Sequence, residues 1–150
     1  VAARSKDEEE LRRLSIEMRY LEQTAETLQQ RIGMMNAAIT DLTYASMTLE
    51  GVEQEKENAE MLVPIGGSSY VKVKLTESDK VVVGLGAGVS AEKTVAEAKA
   101  VFKERLEDLQ KTMGSAQQQF AQVAQRINSG RNRLESLLTQ VREGKAQSDV

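Results

Sequence analysis

The residues best suited by type to do chemistry are Gly84-Leu85-Gly86-Ala87-Gly88, because a glycine-rich turn can hold a phosphate on its backbone N–H groups. Their spacing is G-x-G-x-G. Val89 stands where a dinucleotide fingerprint needs its third glycine, no Gly-Lys-Ser or Gly-Lys-Thr follows, and no βαβ unit surrounds the run. A tight turn that needs positive φ accounts for these glycines. Glu53, Glu55 and Glu57 are the next candidates, as metal ligands, but residues two apart on a helix point to different faces and do not converge. They read as a solvated face, and Gln117-Gln118-Gln119 as exposed helix surface. The chain has no Cys and no His, which removes disulfides, the commonest zinc ligands, cysteine nucleophiles and imidazole acid–base work. The expectation is a protein that is not an enzyme, with no catalytic residues, no cofactor and no metal site.

The elements that carry these residues follow from composition and period. Of 150 residues, 29% are charged and 40% hydrophobic, while aromatics are only 3% and Trp is absent. That balance favours long helices over a compact core filled with rings. The net charge of −3 is spread over interspersed acids and bases. Without a basic stripe there is no electrostatic footprint for nucleic acid, so an RNA-binding coiled-coil arm is disfavoured. The longest uncharged apolar run, near Val81–Val89, is far shorter than the ~20 residues that span a bilayer. The first ten residues, VAARSKDEEE, hold no hydrophobic signal region. A cytoplasmic protein without a membrane partner is expected.

Residues 1–58 read as one coiled-coil helix. Ser5-Lys6-Asp7-Glu8 has the form of a capping box at its start. Steps of three and four then land on Leu11, Leu14, Met18, Leu21, Ala25, Leu28, Ile32, Met35, Ile39, Leu42, Ser46 and Leu49. Residues 94–150 read as a second helix, capped by Thr94-Val95-Ala96-Glu97. Its seam is Phe102, Leu106, Leu109, Met113, Ala116, Phe120, Val123, Ile127, Gly130, Leu134, Leu137 and Val141. Its end is expected at Gly144, with Arg142 and Lys145 favourably placed at the negative dipole end. Eleven of twelve seam positions are apolar in each helix, well beyond what a 40% hydrophobic chain supplies by chance. A strict 3.5-residue period specifies a left-handed supercoil, and each seam is about 60 Å long. Matched lengths predict an antiparallel pair, with Leu49 near Phe102 and Leu11 near Val141. Gly130 and Ser46 interrupt the seams, as local relief of packing or as flex points.

Residues 59–93 differ in kind, with the only proline and a concentration of glycine and β-branched residues. Met61–Ile65 and Ser69–Leu75 read as strands joined at Gly66-Gly67, a pair suited to a tight hairpin. Alternation places Val71, Val73 and Leu75 on one face. Val81–Leu85 and Val89–Ala91 read as a second pair around the glycine run. Pro64 costs a ladder hydrogen bond, so its strand belongs at an edge. Four such strands cannot close a barrel, and isolated two-stranded pieces are marginal in water, so the module calls for partner subunits. The fold class expected is α+β: a long antiparallel coiled-coil hairpin with a small β module of two β-hairpins at its closed end.

The open end carries apolar residues beyond the seam. Ile16 falls at heptad position f, and Leu138 follows Leu137 directly. With Leu11, Leu14, Met18, Leu134, Leu137 and Val141 they enlarge the apolar surface there, where fraying would offer seam residues to an outside partner. Simple coiled-coil packing with scattered surface apolar residues is the plainer account of the same set. A structural tether or filament-forming subunit would share arms and module and bind no client.

The stretches Leu62-Val63-Pro64-Ile65-Gly66-Gly67-Ser68-Ser69-Tyr70 and Val82-Val83-Gly84-Leu85-Gly86-Ala87-Gly88-Val89-Ser90-Ala91-Glu92-Lys93 resemble the α subunits of prefoldin, in an archaeal form. The four-strand insert resembles the α type too, since β subunits of that family carry one hairpin. The resemblance implies a heterohexamer of two α and four β subunits, in which the β module joins an intersubunit β-barrel platform. It implies an ATP-independent holdase that captures unfolded proteins at the arm tips and delivers them to a group II chaperonin. On this chain the platform contacts would be Val71, Val73, Leu75, Val81, Val83 and Val89. The client contacts would be the eight tip residues named above.

Overall fold

Two glycine-poor sequences with unbroken heptads have no reason to stop at short helices, and they do not. The computed structural model describes residues Ala2–Asp149, with side chains from Lys6 onward. Helix α1 runs Ala2–Gln54 and helix α2 runs Val95–Ser148. Between them lie β1 (Glu60–Gly66), β2 (Ser69–Lys74), β3 (Lys80–Gly86) and β4 (Val89–Thr94). The strands form two separate antiparallel hairpins, β1 with β2 and β3 with β4. The chain packs as two compact units, one of Val1–Asn36 with Thr112–Val150 and one of Ala37–Lys111.

In the first unit both helices present the expected seams. Met18, Leu21, Leu28, Met35, Ala116 and Leu137 are buried, and the remaining seam positions of this unit are half-buried or buried. Ion pairs flank the seam and fix its direction. Glu10 pairs with Arg133 at 2.9 Å and Glu17 with Arg126 at 2.9 Å, so α2 descends as α1 rises. Both pairs join g positions, while Glu22 and Arg131, 3.5 Å apart, join e positions. That like-to-like pairing is what an antiparallel coiled coil requires. These bridges are exposed and each contributes about 0–1 kcal/mol, so they select alignment more than they stabilise.

Two helix ends depart from expectation. Helix α1 begins at Ala2 rather than at a Ser5 cap, so the Ser5 backbone is already helical; its side chain lies outside the described residues. Ala2 and Ala3 are good helix formers with no Pro or Gly before Ser5 to stop them. Helix α2 passes through Gly144 and ends at Ser148. One glycine costs a helix only about 1 kcal/mol, and Lys145, Ala146 and Gln147 carry the helix beyond it. The Ser148 hydroxyl then donates to the Lys145 carbonyl at 3.0 Å.

In the second unit the hairpins share one design. Each has a two-residue loop with positive φ at both positions, Gly67 (56°) with Ser68 (57°) and Ala87 (51°) with Gly88 (76°). This is the type I′ geometry whose twist matches paired strands. A register shift precedes each loop, and there Gly66 and Gly86 hold φ near 100°, which a side chain would not adopt at ease. The glycine run is thus occupied in making a turn. Beyond the first ladder the Asn58 N–H donates to the Leu75 carbonyl and the Leu75 N–H to the Ala59 carbonyl. The Val95 N–H donates to the Asp79 carbonyl at 2.9 Å and leads directly into α2. The start of α2 is capped as expected: the Glu97 N–H donates to Thr94 Oγ1 at 3.2 Å, and that hydroxyl donates to Glu97 Oε1 at 3.1 Å.

A small core joins helices and strands in this unit: Leu49, Val83, Val95 and Ala98, with Val81, Val101 and Phe102 packed against it. Leu49 and Phe102 come together as the seam alignment predicts.

Candidate functional sites: a β assembly face and an arm tip

The two hairpins are built alike and placed differently. On β3, Val81 and Val83 face inward, and Val83 is 2% exposed within the chain's own core. Val82 between them is 74% exposed, as strand alternation requires. Arg105 of α2 secures this hairpin by donating from Nη2 to the Gly84 carbonyl at 2.7 Å. Below it Lys99 pairs with Glu53, so one of the three acids read as a solvated face has a partner.

The β1–β2 hairpin is exposed along almost its whole length. Register pairs Met61 with Val73 and Val63 with Val71, which puts these four apolar residues on one face. The opposite face carries Leu62, Lys72, Pro64 and Tyr70. Val63, Val71 and Val73 are exposed, and Leu75 is half-buried at the end of the same face. Both strands of each two-stranded sheet are edges, including the one with Pro64. Of the six residues expected at a subunit contact, Val71, Val73 and Val89 are therefore free, Leu75 and Val81 are half-covered, and Val83 is enclosed. Sequence reasoning did not single out Leu62, Ile65, Tyr70, Val82 and Leu85, all exposed large apolar side chains. For Leu62, Tyr70 and Val82 the signal was present in the strand alternation, which sends one set of side chains away from any single-chain core, whereas Ile65 and Leu85 sit at the register shifts before the loops.

At the open end of the helices, the eight residues expected to meet a client divide by depth. Met18 and Leu137 are buried between the helices. Leu11, Leu14, Leu134 and Val141 are half-buried. Ile16 (69%) and Leu138 (42%) are exposed. Tyr20 on α1 is as open as Ile16 and was not anticipated; its heptad position, c, marks it as outward-facing. Gly130 is buried against Met18, and a Cβ built there would stand 2.2 Å from the Met18 sulfur. This seam interruption is a close fit between two particular residues.

Among the described residues no group of three or more His, Cys, Asp or Glu converges as a metal site. No described helix is long and apolar enough to cross a membrane. What the geometry offers is apolar surface: an uncovered β-hairpin and an arm end with exposed aliphatic residues. The class these features define is a pair of long heptad helices with two β-hairpins inserted between them in sequence.

Comparison with known proteins agrees. The pattern of the family described as prefoldin subunit matches residues 21–140. A prefoldin subunit alpha of Methanococcoides burtonii is 34% identical over 122 residues, covering 81% of this chain and 88% of that protein. Another, of Methanosarcina barkeri, is 39% identical over 109 residues, covering 71% of this chain and 76% of that one. A third, of Methanosarcina mazei, is 33% identical over 141 residues, 92% of this chain and 96% of its own length. Among solved structures, a chain of filamentous PFD from Methanocaldococcus jannaschii superposes with a TM-score of 0.65 at 29% identity, covering 74% of this chain and 92% of that one. The chain belongs to the prefoldin subunit family, with archaeal α subunits as its relatives. It is a chaperone subunit of a family that is not enzymatic.

Proposed function

We propose that this chain is the α-type subunit of a cytoplasmic, ATP-independent holdase, assembled as two copies with four prefoldin β subunits. In this reading the apolar face of β1–β2, with Val71, Val73 and Leu75, and the exposed Val89 complete an intersubunit β-barrel with neighbouring strands. Val81 and Val83 hold β3–β4 against its own helices so that its free face meets the partner. The observation that carries the assembly reading is the β1–β2 hairpin, which leaves most of its apolar side chains and both of its edges uncovered in the single chain. Proteins manage such edges by pairing or covering them.

Client capture falls to the tips. Ile16 and Leu138 supply apolar surface while the helices are closed, and Leu11, Leu14, Leu134 and Val141 add theirs as the ends fray. Met18 and Leu137 keep the pair together. Several weak tips around one unfolded chain gain avidity without any tight contact, and release to a group II chaperonin then proceeds by competition. The test is native mass spectrometry of the complex recovered with this chain from its own cell extract, followed by aggregation assays. A six-chain complex should suppress aggregation of an unfolded protein. Deleting the residues before Ile16 and after Leu134 should leave the hexamer intact and abolish suppression; suppression that persists would refute the tip reading.

A second reading has one specific support, the likeness to a chain of a filamentous assembly. Here the hairpins would pair head to tail with further copies of this chain, and the arms would space objects rather than hold clients. An open-ended polymer of this chain alone in the native mass measurement would favour it.

A further inference from the structure

Within the Ala37–Lys111 unit, helix α1 carries a second ordered face, on the side opposite its seam. Ala37, Tyr44 and Gly51 stand seven residues apart at position f, flanked by Thr40 and Met47 at b and by Asp41 and Thr48 at c. All are exposed, Tyr44 at 65% and Met47 at 61%. The stripe holds a single charge, Asp41. The outward face of α2 in the same unit is of the ordinary solvated kind, with Glu97, Glu104, Glu107, Asp108 and Lys111. The seam does not account for a tyrosine and a methionine on the outer side of α1.

The stripe is complementary to itself. Side chains on a helix lean towards its N-terminus, so the Tyr44 ring covers the level of Asp41 and reaches towards that of Ala37. A second α1 laid antiparallel and centred on Tyr44 brings its own Gly51 to that level, and nothing lies within 4 Å of a Cβ built at Gly51. Each ring thus finds a slot beside the other copy's glycine. On the flanks Thr40 meets Met47, and Asp41 meets Thr48, whose hydroxyl is already satisfied by the Tyr44 carbonyl of its own helix at 2.9 Å. The two Asp41 carboxylates then stand six residues apart along the axis, about 9 Å. A parallel pair would set Asp41 against Asp41 and ring against ring. A partner rich in charge would have to strand its charges against Ala37, Tyr44 and Met47, where only Asp41 answers them. The same face of a second copy strands none.

We infer that the outward face of α1 from Ala37 to Gly51 docks against the same face of a second copy of this chain, the two helices crossing antiparallel at Tyr44. One helix face of this length falls short of the roughly 800 Å² per partner that a stable interface buries, so it does not make a dimer unaided. It acts where other contacts have already brought two copies together, and so rests on the reading that places two copies in one complex. A two-fold contact uses the same patch on both subunits, which is what spacing symmetric about Tyr44 provides.

The chain contains no Cys, so engineered pairs report one contact at a time. The full chain with Ala37→Cys and Gly51→Cys is expressed in its own cells, recovered with its partners, counted by native mass spectrometry and oxidised. The expected result is a disulfide-linked dimer from this double variant and none from either single variant. Equal positions of the two copies lie about 21 Å apart along the axis, whereas a disulfide needs Cα atoms within about 7 Å. Thr40→Cys with Met47→Cys leaves Tyr44 and Gly51 in place and should give the same dimer. Tyr44→Asp, at an exposed position, should abolish both dimers and leave the far-ultraviolet circular dichroism of the chain unchanged. Dimers from the single variants, or dimers that survive Tyr44→Asp, would overturn the inference. A complex with two copies of this chain that yields no dimer from either pair would also overturn it and leave the assembly reading standing. Dimers from both pairs in a chain that forms no complex with β subunits would do the reverse, and the absence of both dimer and two-copy complex would overturn both.

Discussion

Three helix-interior glycines in the Val1–Asn36 with Thr112–Val150 unit make opposite predictions under the same substitution. Built Cβ atoms at Gly33 and Gly114 meet nothing within 4 Å, while one at Gly130 would stand 2.2 Å from the Met18 sulfur. Replacing Gly by Ala in a helix interior is worth about 1 kcal/mol when nothing opposes it. Gly33→Ala and Gly114→Ala should therefore stabilise the chain by about 0.5–1 kcal/mol. At Gly130 the same gain is set against overpacking, which costs about 1–3 kcal/mol, so Gly130→Ala should destabilise by about 1 kcal/mol. Met18 is 5% exposed, and Met18→Ala alone should cost about 2–5 kcal/mol. In that background the obstruction is gone and Gly130→Ala should become stabilising, giving a coupling energy near 2 kcal/mol. Urea unfolding followed by far-ultraviolet circular dichroism, at one fixed protein concentration, measures all four variants and the double mutant. If Gly130→Ala stabilises the wild-type chain as much as Gly33→Ala does, or its effect is the same with and without Met18, the claimed fit of Met18 over Gly130 is wrong.

Other consequences can be read from the same unfolding curves. Thr94→Ala removes the cap of α2 and should cost about 1 kcal/mol, while Thr94→Ser should be nearly silent. Val83→Ala should cost about 2 kcal/mol by opening the small core, and Val82→Ala, one residue along and facing solvent, should change chain stability by less than about 0.5 kcal/mol. Gly86→Ala forces a side chain into φ near 100° and should destabilise by about 1–2 kcal/mol, whereas Ala87→Gly relieves a left-handed alanine and should not destabilise. Val71→Ser with Val73→Ser should leave unfolding of the single chain almost unchanged and weaken association with partner subunits, read by native mass spectrometry.

The coiled coil was legible because its period is strict. Every seam position from Leu11 to Leu49 and from Phe102 to Val141 is at least half-buried, including the two non-standard members, Ser46 and Gly130. The turns were legible because positive φ leaves few residue types available, and the glycine runs fall at those positions. Helix ends were not, because at Ser5 and Gly144 a good local signal competed with flanking residues that also favour helix. The unequal exposure of the hairpins was hidden too. Val71 and Val83 have the same residue type and the same alternation, and only tertiary contact with Leu49 and Val95 makes one enclosed and leaves the other free. Tyr20 was missed because a search for seam residues passes over position c.

The distribution of apolar surface separates what one chain can do alone from what it cannot. The helices satisfy themselves: their seam residues are buried or half-buried, and Glu10, Glu17 and Glu22 find arginines on the facing helix. The β3–β4 hairpin is also provided for, by Val83 in the core and by the Arg105 bond to Gly84. The β1–β2 hairpin has neither, and its valines at 63, 71 and 73 stay partly exposed. These valines are still 37–43% exposed, and completing their burial is worth about 1 kcal/mol each before any edge hydrogen bond is counted. Under the proposed assembly, apolar surface left for a partner lies in the β hairpins, on β1–β2 and on the outer side of β3–β4 with Val82 and Val89. Under the same proposal the exposed Ile16, Tyr20 and Leu138 are not needed to hold the assembly together.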